Sequence, residues 1–162
     1  MTTSANGQAP RAITKADHAP LLVLNNEYAM ELSYQTPEQF TELLDSAWLT
    51  RTIGNNEALL VAFDQDSKYD NPNFAWHAAR APRFVYIDRV VSAVQGRGDA
   101  RRLYEDLRAQ AKAAGHTKLV CEINVDPPNP ASTAFHARFG FTEVGRGVLA
   151  NGKTVGYFEA PL

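Results

Sequence analysis

The spacing of apolar residues along the chain changes period most clearly between residues 83 and 115. Phe84–Val91 is rich in β-branched and aromatic residues, which is typical of a strand. From Ala100 to Ala114 apolar residues recur every three or four positions, which indicates one face of a helix, and Gly115 follows as a stop signal. The pattern therefore predicts a strand, a short loop with glycines and a helix.

The first half of the chain predicts two helices and a hairpin. Thr36-Pro37-Glu38 places a cap residue, a proline and an acid in the order that begins a helix. An earlier helical stretch is expected at Ala19–Asn25, after an N-cap at Asp17. The expected strands are Arg11–Thr14, then Trp48–Ile53 and Ala58–Phe63 around a turn at Gly54–Glu57.

The second half adds a strand, a helix and a closing hairpin. Lys118–Asn124 reads as a strand, and Asn129 caps a helix that has Pro130 in its first position. Glu143–Leu149 and Thr154–Glu159 flank a turn at Asn151-Gly152. In total we expect about six or seven strands and four helices. The predicted fold class is α/β (α+β), with a mixed, mostly antiparallel sheet and helices on both faces.

Composition indicates a single soluble domain. The chain has 162 residues, of which 44% are hydrophobic and 21% are charged. Residues 1–10 are small and polar and predict a disordered tail, which leaves 11–162 as the domain. The net charge of −2 and the lack of a long basic run argue against a nucleic-acid partner. No apolar run reaches membrane-spanning length and no signal region is found, so the default expectation is a cytoplasmic protein without a membrane partner.

Cysteine and histidine positions do not predict a metal site. The four histidines show no H-x-x-x-H spacing, and the single cysteine, Cys121, has no partner. Cys121 lies in an apolar strand, so we interpret it as a core residue.

The loop between the first strand and helix, Gln95 to Ala100, has features of an anion site. The first N–H groups of a helix have no partner inside it and favour negative charge. Gly96 and Gly98 allow close approach of the backbone, and Arg97 can add positive charge. The P-loop and Rossmann patterns do not fit this loop. The alternative is that the glycines serve only the geometry of the turn.

Two stretches resemble one known family. Gln95-x-x-Gly98-x-Ala100, between a strand and a helix, resembles the acyl-CoA pyrophosphate loop of the GNAT N-acetyltransferase superfamily. The stretch from Cys121 to Phe141 is similar to the second part of that family's sequence pattern. In that part a strand is followed by N-x-x-A at the start of a helix, and the helix is followed by G-F. The two motifs cover about the last half of the chain. The resemblance implies a V-shaped gap between the Phe84–Val91 and Lys118–Asn124 strands.

The resemblance also implies acetyl-CoA as co-substrate and no metal. Backbone near Val90 and Val91 would hold the pantetheine arm, and amides of the glycine loop would hold the pyrophosphate. We expect Asp99 to contribute its N–H while its side chain faces solvent. The acceptor would be the primary amine of a small molecule, which attacks directly in a ternary complex. The cofactor-binding residues so implied are Val90, Val91, Gln95, Gly96, Arg97, Gly98, Asp99, Ala100 and Asn129.

Two carboxylates are candidates for the general base. Glu122 occupies a strand position that resembles the one from which a glutamate serves as base in several family members; the alternative is a carboxylate that is solvated or paired with an arginine. Asp88 shares a strand face with Tyr86 and Val90 by simple alternation, which puts Arg89 on the opposite face. An acid among apolar residues is exposed, paired or functional, and for Asp88 pairing and function both stay open.

The candidate acid departs from the family pattern. The usual helix tyrosine of the family falls on His136. Histidine can donate a proton at working pH, so His136 either replaces that tyrosine or packs beside CoA. Tyr104, on the earlier helix, is interpreted as a core residue.

Several interpretations remain open at this stage. Because the tyrosine is missing, the chain could be a non-catalytic acyl-CoA-binding module, and within the enzyme interpretation a protein N-terminus or lysine could be the acceptor. The long connection from Asp64 to Pro82 is a wall or lid of the acceptor pocket, a packed surface loop or a dimer contact, and Asn73–Ala79 is a candidate helical turn within it. Exposed sheet edges leave a homodimer open. Aromatic residues that would suit an aromatic acceptor are Tyr28, Trp48, Phe74 and Trp76.

Overall fold

Seven strands form one sheet in the order β1-β2-β3-β4-β5-β7-β6 in the computed structural model, which describes residues 8–162. Neighbouring strands are antiparallel except β4 and β5, which are parallel. The prediction of a mixed, mostly antiparallel sheet is confirmed. The strands are β1 Pro10–Arg11, β2 Leu49–Ile53, β3 Ala58–Asp64, β4 Val85–Ser92, β5 Lys118–Asp126, β6 Thr142–Val148 and β7 Thr154–Pro161.

Six α-helices cover the two faces of the sheet, where the sequence predicted four. One face packs against α5 and α6, and the other against α1, α3 and α4. The two additional helices are α2, which is only four residues long, and α4, which lies in the connection from Asp64 to Pro82. The helices are α1 His18–Glu27, α2 Ala29–Leu32, α3 Pro37–Ser46, α4 Pro72–Arg80, α5 Asp99–Ala113 and α6 Pro130–Arg138, with a 3-10 turn at Lys15–Asp17.

Side-chain caps explain where several helices begin. Thr36 and Gln39 form a capping box at α3, and the side chain of Asn129 accepts from the N–H of Ser132 at α6. Asn71 caps α4 in the same way, and Asn71-Pro72 was a start signal that the sequence analysis missed. Asp17 precedes α1 as predicted, but its carboxylate binds the side chain of Arg11 and the N–H of Thr14 instead of capping the helix.

The beginning of the chain differs from the prediction in extent. The first strand is Pro10–Arg11 and not Arg11–Thr14, and Pro10 pairs with Ile53. Most of the predicted tail, residues 1–7, lies outside the described residues. Within residues 8–162, none of the helices combines the length and apolarity that crossing a membrane requires.

A bulge in β4 reverses its side-chain alternation. Val61 of β3 pairs with Arg89, but the next residue, Ala62, pairs with Ile87, so Asp88 is an extra residue. Beyond the bulge, Arg89 reaches α1 on the same face as Asp88, and Val90 packs on the opposite face. The expectation that Arg89 points away from Asp88 and that Val90 shares its face is therefore wrong, because simple alternation holds only for a strand without a bulge.

The two parallel strands separate soon after they meet. Register pairs join β4 and β5 at Val85–Leu119 and Tyr86–Val120, and the described residues show none beyond these. Both strands continue for several residues, so a gap opens between Ile87–Ser92 and Cys121–Asp126. The gap that the resemblance implied is present, and it leaves backbone polar groups of β4 facing a cleft.

We predict that Thr36→Ala lowers the free energy of unfolding by about 1 kcal/mol, because the first turn of α3 loses the hydroxyl that accepts from the N–H of Gln39. Urea denaturation measures the loss. Thr36→Ser keeps the hydroxyl and should retain most of the stability. An equal loss in both variants would show that the threonine methyl matters and the cap does not.

Candidate functional site

The loop before α5 turns through two glycines with left-handed backbone. Gly96 has φ of 77° and Gly98 of 82°, values that favour glycine. Gly98 is the N-cap residue of α5, so the first free N–H groups of that helix follow it directly. The loop therefore combines an open backbone with the positive end of a 15-residue helix.

Asp99 is buried under this loop and does not face solvent, contrary to the prediction. Its side chain is 0% exposed and accepts from the guanidinium groups of Arg97, at 2.6 Å, and Arg102. Burial raises its pKa, but the bonds from the two arginines outweigh burial and the net pKa is below the ordinary value. Arg97 also pairs with Glu57 at 3.1 Å. The charge of Arg97 is thus used within the protein, where it fixes the loop.

A cavity of about 800 Å³ extends from the loop between α5 and α6, and we call it the loop cavity. Three arginines supply its positive charge. Arg101 pairs with Glu105 at the surface, while Arg108 stacks on Phe139 and donates to its carbonyl oxygen. The lining residues are Ser92, Val94, Gln95, Gly96, Gly98, Asp99, Ala100, Arg101, Glu105, Arg108, Ala131, Ser132, Phe135, Arg138 and Phe139.

A second cavity, of about 170 Å³, fills the opening between β4 and β5, and we call it the gap cavity. It brings together five of the candidate site residues, Glu122, Asp88, His136, Val90 and Asn129. The side chain of Val91 packs in the core on the α1 face. The remaining lining residues are Glu31, Leu32, Ile87, Arg89, Tyr104, Cys121, Ile123, Asn124 and Ser132.

Glu122 has an unusual environment for a carboxylate. It is half-buried, and its Oε1 accepts a hydrogen bond of 2.6 Å from the hydroxyl of Tyr86. Burial, together with the charge of Asp88, raises the pKa of Glu122 to about 7, although the bond from Tyr86 acts in the opposite direction. The alternatives of a solvated carboxylate or an arginine partner are therefore not what the structure shows. Glu122 can take up and release a proton near neutral pH.

Asp88 is engaged at both of its oxygens. The hydroxyl of Tyr69 donates to Oδ1 at 2.6 Å, and Nε of Arg89 donates to Oδ2 at 2.8 Å. The side chains of Asp88 and Arg89 are 4% and 7% exposed, so this is a buried ion pair. Arg89 extends the network by donating to Oδ1 of Asn25 at 2.8 Å. These contacts favour the pairing interpretation that the sequence left open.

His136 lies on the opposite face of the sheet from Glu122 and is buried. Its Nδ1 lies 2.8 Å from the carbonyl oxygen of Ser132, and its Nε2 lies 2.7 Å from the hydroxyl of Tyr104. Because a carbonyl oxygen only accepts, we assign the proton to Nδ1 and the donor role at Nε2 to Tyr104. Burial lowers the pKa of His136, which fits a neutral ring.

A third cavity, of about 290 Å³, opens on the other side of Glu122, and we call it the polar cavity. Its roof is the Ala29–Ser33 segment, and Asn71 and Asn73 contribute from the 64–82 connection. None of Tyr28, Trp48, Phe74 and Trp76 lines it: Trp76 stacks on Tyr157, and Trp48 packs beside His116. The other lining residues are Asp88, Arg89, Glu122, Asn124, Leu149, Asn151, Lys153 and Val155.

The model of one known family, described as the Acetyltransferase (GNAT) family, matches residues 30–141. The chain belongs to the GNAT family. A search of curated proteins finds no match.

Solved structures of other GNAT proteins share the fold at low sequence identity. An N-acetyltransferase from Staphylococcus aureus Mu50 is 20% identical with a TM-score of 0.72, covering 96% of this chain and 98% of the other. The NatC complex bound to Gag peptide and CoA contains a chain that is 15% identical with a TM-score of 0.73, at 96% and 98% coverage. A spermidine N-acetyltransferase chimera from Vibrio cholerae and hSSAT is 19% identical with a TM-score of 0.68, at 95% and 94% coverage.

Three tyrosines at this GNAT site were missed or undervalued by the sequence analysis. Tyr86 bonds Glu122, Tyr69 bonds Asp88, and Tyr104 bonds His136. Tyr86 and Tyr104 have the apolar spacing of core residues, and Tyr69 lies in the 64–82 connection outside any helix or strand, so no motif marks the three. The parallel pairing of Tyr86 with Val120 is the feature that could have placed Tyr86 beside Glu122. Within residues 8–162, no group of three or more His, Cys, Asp or Glu is arranged to hold a metal ion.

We predict that Asp99→Asn lowers the free energy of unfolding by about 2 kcal/mol at pH 7, since Arg97 and Arg102 lose their charged acceptor. Denaturant unfolding at several pH values measures this. The folded pKa of Asp99 is lowered, so its contribution is present above about pH 4, the unfolded value, and is lost as the pH falls through the folded pKa.

The control for this comparison is Asp45→Asn, at an exposed position of α3. It should leave stability unchanged at every pH. A difference between wild type and Asp99→Asn that persisted unchanged to pH 2 would contradict an ionised, arginine-bound Asp99.

Proposed function

We propose that this protein transfers the acetyl group of acetyl-CoA to the primary amine of a small molecule, by direct attack in a ternary complex. The observation that carries the proposal is the position of Glu122. It lines both the gap cavity and the polar cavity, and its pKa is about 7. A carboxylate between the two cavities can take a proton from an amine in the polar cavity. That amine can then attack a carbonyl carbon in the gap cavity.

The described residues fit acetyl-CoA as the co-substrate. The loop cavity offers helix N–H groups after Gly98 and the guanidinium groups of Arg101, Arg108 and Arg138 for phosphates. The separated β4 offers unpaired backbone near Val90 and Val91 for the amides of the pantetheine arm. Acetyl-CoA would supply an activated acetyl thioester at the gap cavity.

Glu122 acts as general base in this proposal. It accepts a proton from the acceptor ammonium, and the resulting amine nitrogen forms a bond to the acetyl carbon while the C–S bond breaks. The second proton, which the nitrogen loses as the amide forms, passes to solvent. Tyr86 holds the carboxylate in position through its bond to Oε1. Asp88 contributes charge that helps to raise the pKa of Glu122, and its own oxygens are occupied by Tyr69 and Arg89.

Tyr104 and His136 face the leaving sulfur from the other side of the gap. Both ring nitrogens of His136 are hydrogen-bonded, which supports the interpretation that it orients and packs. The Tyr104 hydroxyl lies in the same cavity and can turn its hydrogen from Nε2 of His136 to the developing thiolate. The proton that the thiolate finally gains comes from solvent. The pair would thus replace the tyrosine that the family usually carries on α6.

The acceptor is proposed to be small because the polar cavity holds about 290 Å³. Solved neighbours include one bound to a peptide and one named for spermidine, so the fold alone does not choose between protein and small-molecule acceptors.

We predict that Gly98→Glu abolishes binding of acetyl-CoA and CoA in isothermal titration, while wild type binds at micromolar affinity or tighter. A side chain at φ of 82° is strained, and a carboxylate there repels phosphate. NAD is the negative control for wild type. The melting temperature of the variant shows whether it is folded, and wild-type affinity in a folded variant would contradict the loop assignment.

We predict that Glu122→Gln lowers kcat/KM about 100-fold or more, measured as CoA release with a panel of amines. In wild type, activity should rise with pH through an inflection near the pKa of Glu122, about 7, because the base acts when deprotonated. The variant should lose that inflection and keep its CoA affinity. Glu42→Gln, an exposed change on α3, is the control. An unchanged pH profile in Glu122→Gln would assign the base elsewhere.

A further inference from the structure

The polar cavity differs from a site for an aromatic or alkyl amine. Its surface is mostly polar, and amide side chains approach it from three parts of the fold: Asn71 and Asn73 from α4 and its cap, Asn124 from β5, and Asn151 from the β6–β7 turn. Amides both donate and accept hydrogen bonds. A ligand that fills this space therefore needs polar groups along its length, and the cavity gives an aromatic ring little apolar surface.

Glu122 and Lys153 are two groups of opposite charge that line the cavity, together with Glu31 and the Asp88–Arg89 pair. Glu122 pairs with Tyr157 across β5 and β7, and Asn124 pairs with Val155. Lys153 lies directly before the first residue of β7, Thr154, and lines the same cavity as Glu122. Four residue-to-residue steps along the chain lead from Tyr157 to Lys153, which is about 13 Å for extended backbone. The side chains of Glu122 and Lys153 extend from the backbone, so a ligand between their charged groups has to span less than this distance.

The charge of Lys153 is available to a ligand. Its Nζ lies 3.4 Å from the carbonyl oxygen of Met30, and none of the salt bridges among the described residues involves it. Arg89, the other cation of the cavity, is bound to Asp88 in the buried pair. Lys153 is also only half-exposed, so a partner anion there would be partly shielded from water.

The roof of the cavity is held in place before any ligand arrives. Ser33 has a left-handed φ of 73°, and its carbonyl oxygen accepts from the amide of Asn25 at 3.1 Å. Asn25 in turn accepts from Arg89 of the buried pair. A strained non-glycine residue over a cavity is found where surrounding contacts impose it. The network thus fixes the Ala29–Ser33 segment, including the Met30 carbonyl beside Lys153.

We propose that the acceptor is a small aliphatic amine carrying a carboxylate several bonds from its amine, with Lys153 as the residue that recognises the carboxylate. The amine would lie at Glu122, the chain would cross the amides, and the carboxylate would reach Lys153. This inference rests on the proposed function and names its substrate class. A spacing of several bonds favours an ω-amino acid over an α-amino acid, in which one carbon separates the two groups.

The test compares acceptors that differ only in the distal group. Acetyl-CoA turnover is measured with 4-aminobutanoate and 5-aminopentanoate, with butylamine and pentylamine as uncharged counterparts, with 1,4-diaminobutane as the cationic one, and with glycine for short spacing. Wild type should have kcat/KM about tenfold or more higher for the two ω-amino acids than for every other amine, since a charge-assisted bond forms only with them.

Two substitutions assign the preference to Lys153. Lys153→Met should lower kcat/KM for the ω-amino acids about tenfold through KM, and leave kcat and the values for uncharged amines unchanged. Lys153→Glu should reverse the preference toward 1,4-diaminobutane. Lys112→Met, at an exposed position of α5, is the matched control and should behave as wild type. CoA affinity and melting temperature show that each variant is folded.

The outcomes separate the two proposals. If uncharged amines or the diamine are acetylated as well as the ω-amino acids, or if Lys153→Met lowers all rates alike, the substrate class is wrong while the acetyltransferase stands. If a peptide with a free N-terminus is acetylated and no small amine is, the small-acceptor class is also overturned. If acetyl-CoA is not bound and no amine is acetylated, the proposed function fails and this inference fails with it.

Discussion

The separation of β4 from β5 is the constraint on which the site depends. Parallel strands normally satisfy each other's backbone groups along their length, yet here two register pairs are followed by an open gap. The bulge at Asp88 contributes, because an extra residue on β4 increases local twist and bends the strand. Backbone groups freed in this way need another partner. A ligand with amide groups along an extended chain, such as the pantetheine arm of the proposed co-substrate, would be a partner of the right shape.

Three acids of the candidate site, Asp99, Asp88 and Glu122, show how local contacts decide the role of a carboxylate. Asp99 is held by two arginines and stays ionised, which fixes the glycine loop. Asp88 has Arg89 and Tyr69 on its two oxygens and links β4 to α1 through Asn25. Glu122 has a neutral phenol as partner and no arginine, so burial raises its pKa to about 7. Glu122 is thereby able to exchange a proton near neutral pH.

Sequence patterns spanning a few residues predicted most of the helices and strands and the glycine loop. They did not predict side-chain contacts that depend on the register between strands. Thr36, Asn129 and the glycines at 96 and 98 act through neighbours a few residues away, so their effects were readable from the sequence. The side-chain directions of Asp88 and Arg89 depend on a bulge against β3, which single-strand alternation does not predict. Asp99 was expected in solvent because a carboxylate that faces a bound pyrophosphate would repel it, and its ion pairs with Arg97 and Arg102 were not foreseen.

The histidine at the family's tyrosine position is best understood together with Tyr104. A buried tyrosine needs a hydrogen-bond partner for its hydroxyl, and a buried neutral histidine needs a donor to one of its nitrogens. The hydroxyl of Tyr104 on α5 and Nε2 of His136 on α6 meet both needs at a distance of 2.7 Å. His136 therefore holds a phenol at the gap that α6 itself does not carry. The site therefore keeps a phenol although α6 lacks the tyrosine, because α5 provides Tyr104. The missing motif residue, which kept the alternative of a non-catalytic module open, is then compatible with catalysis.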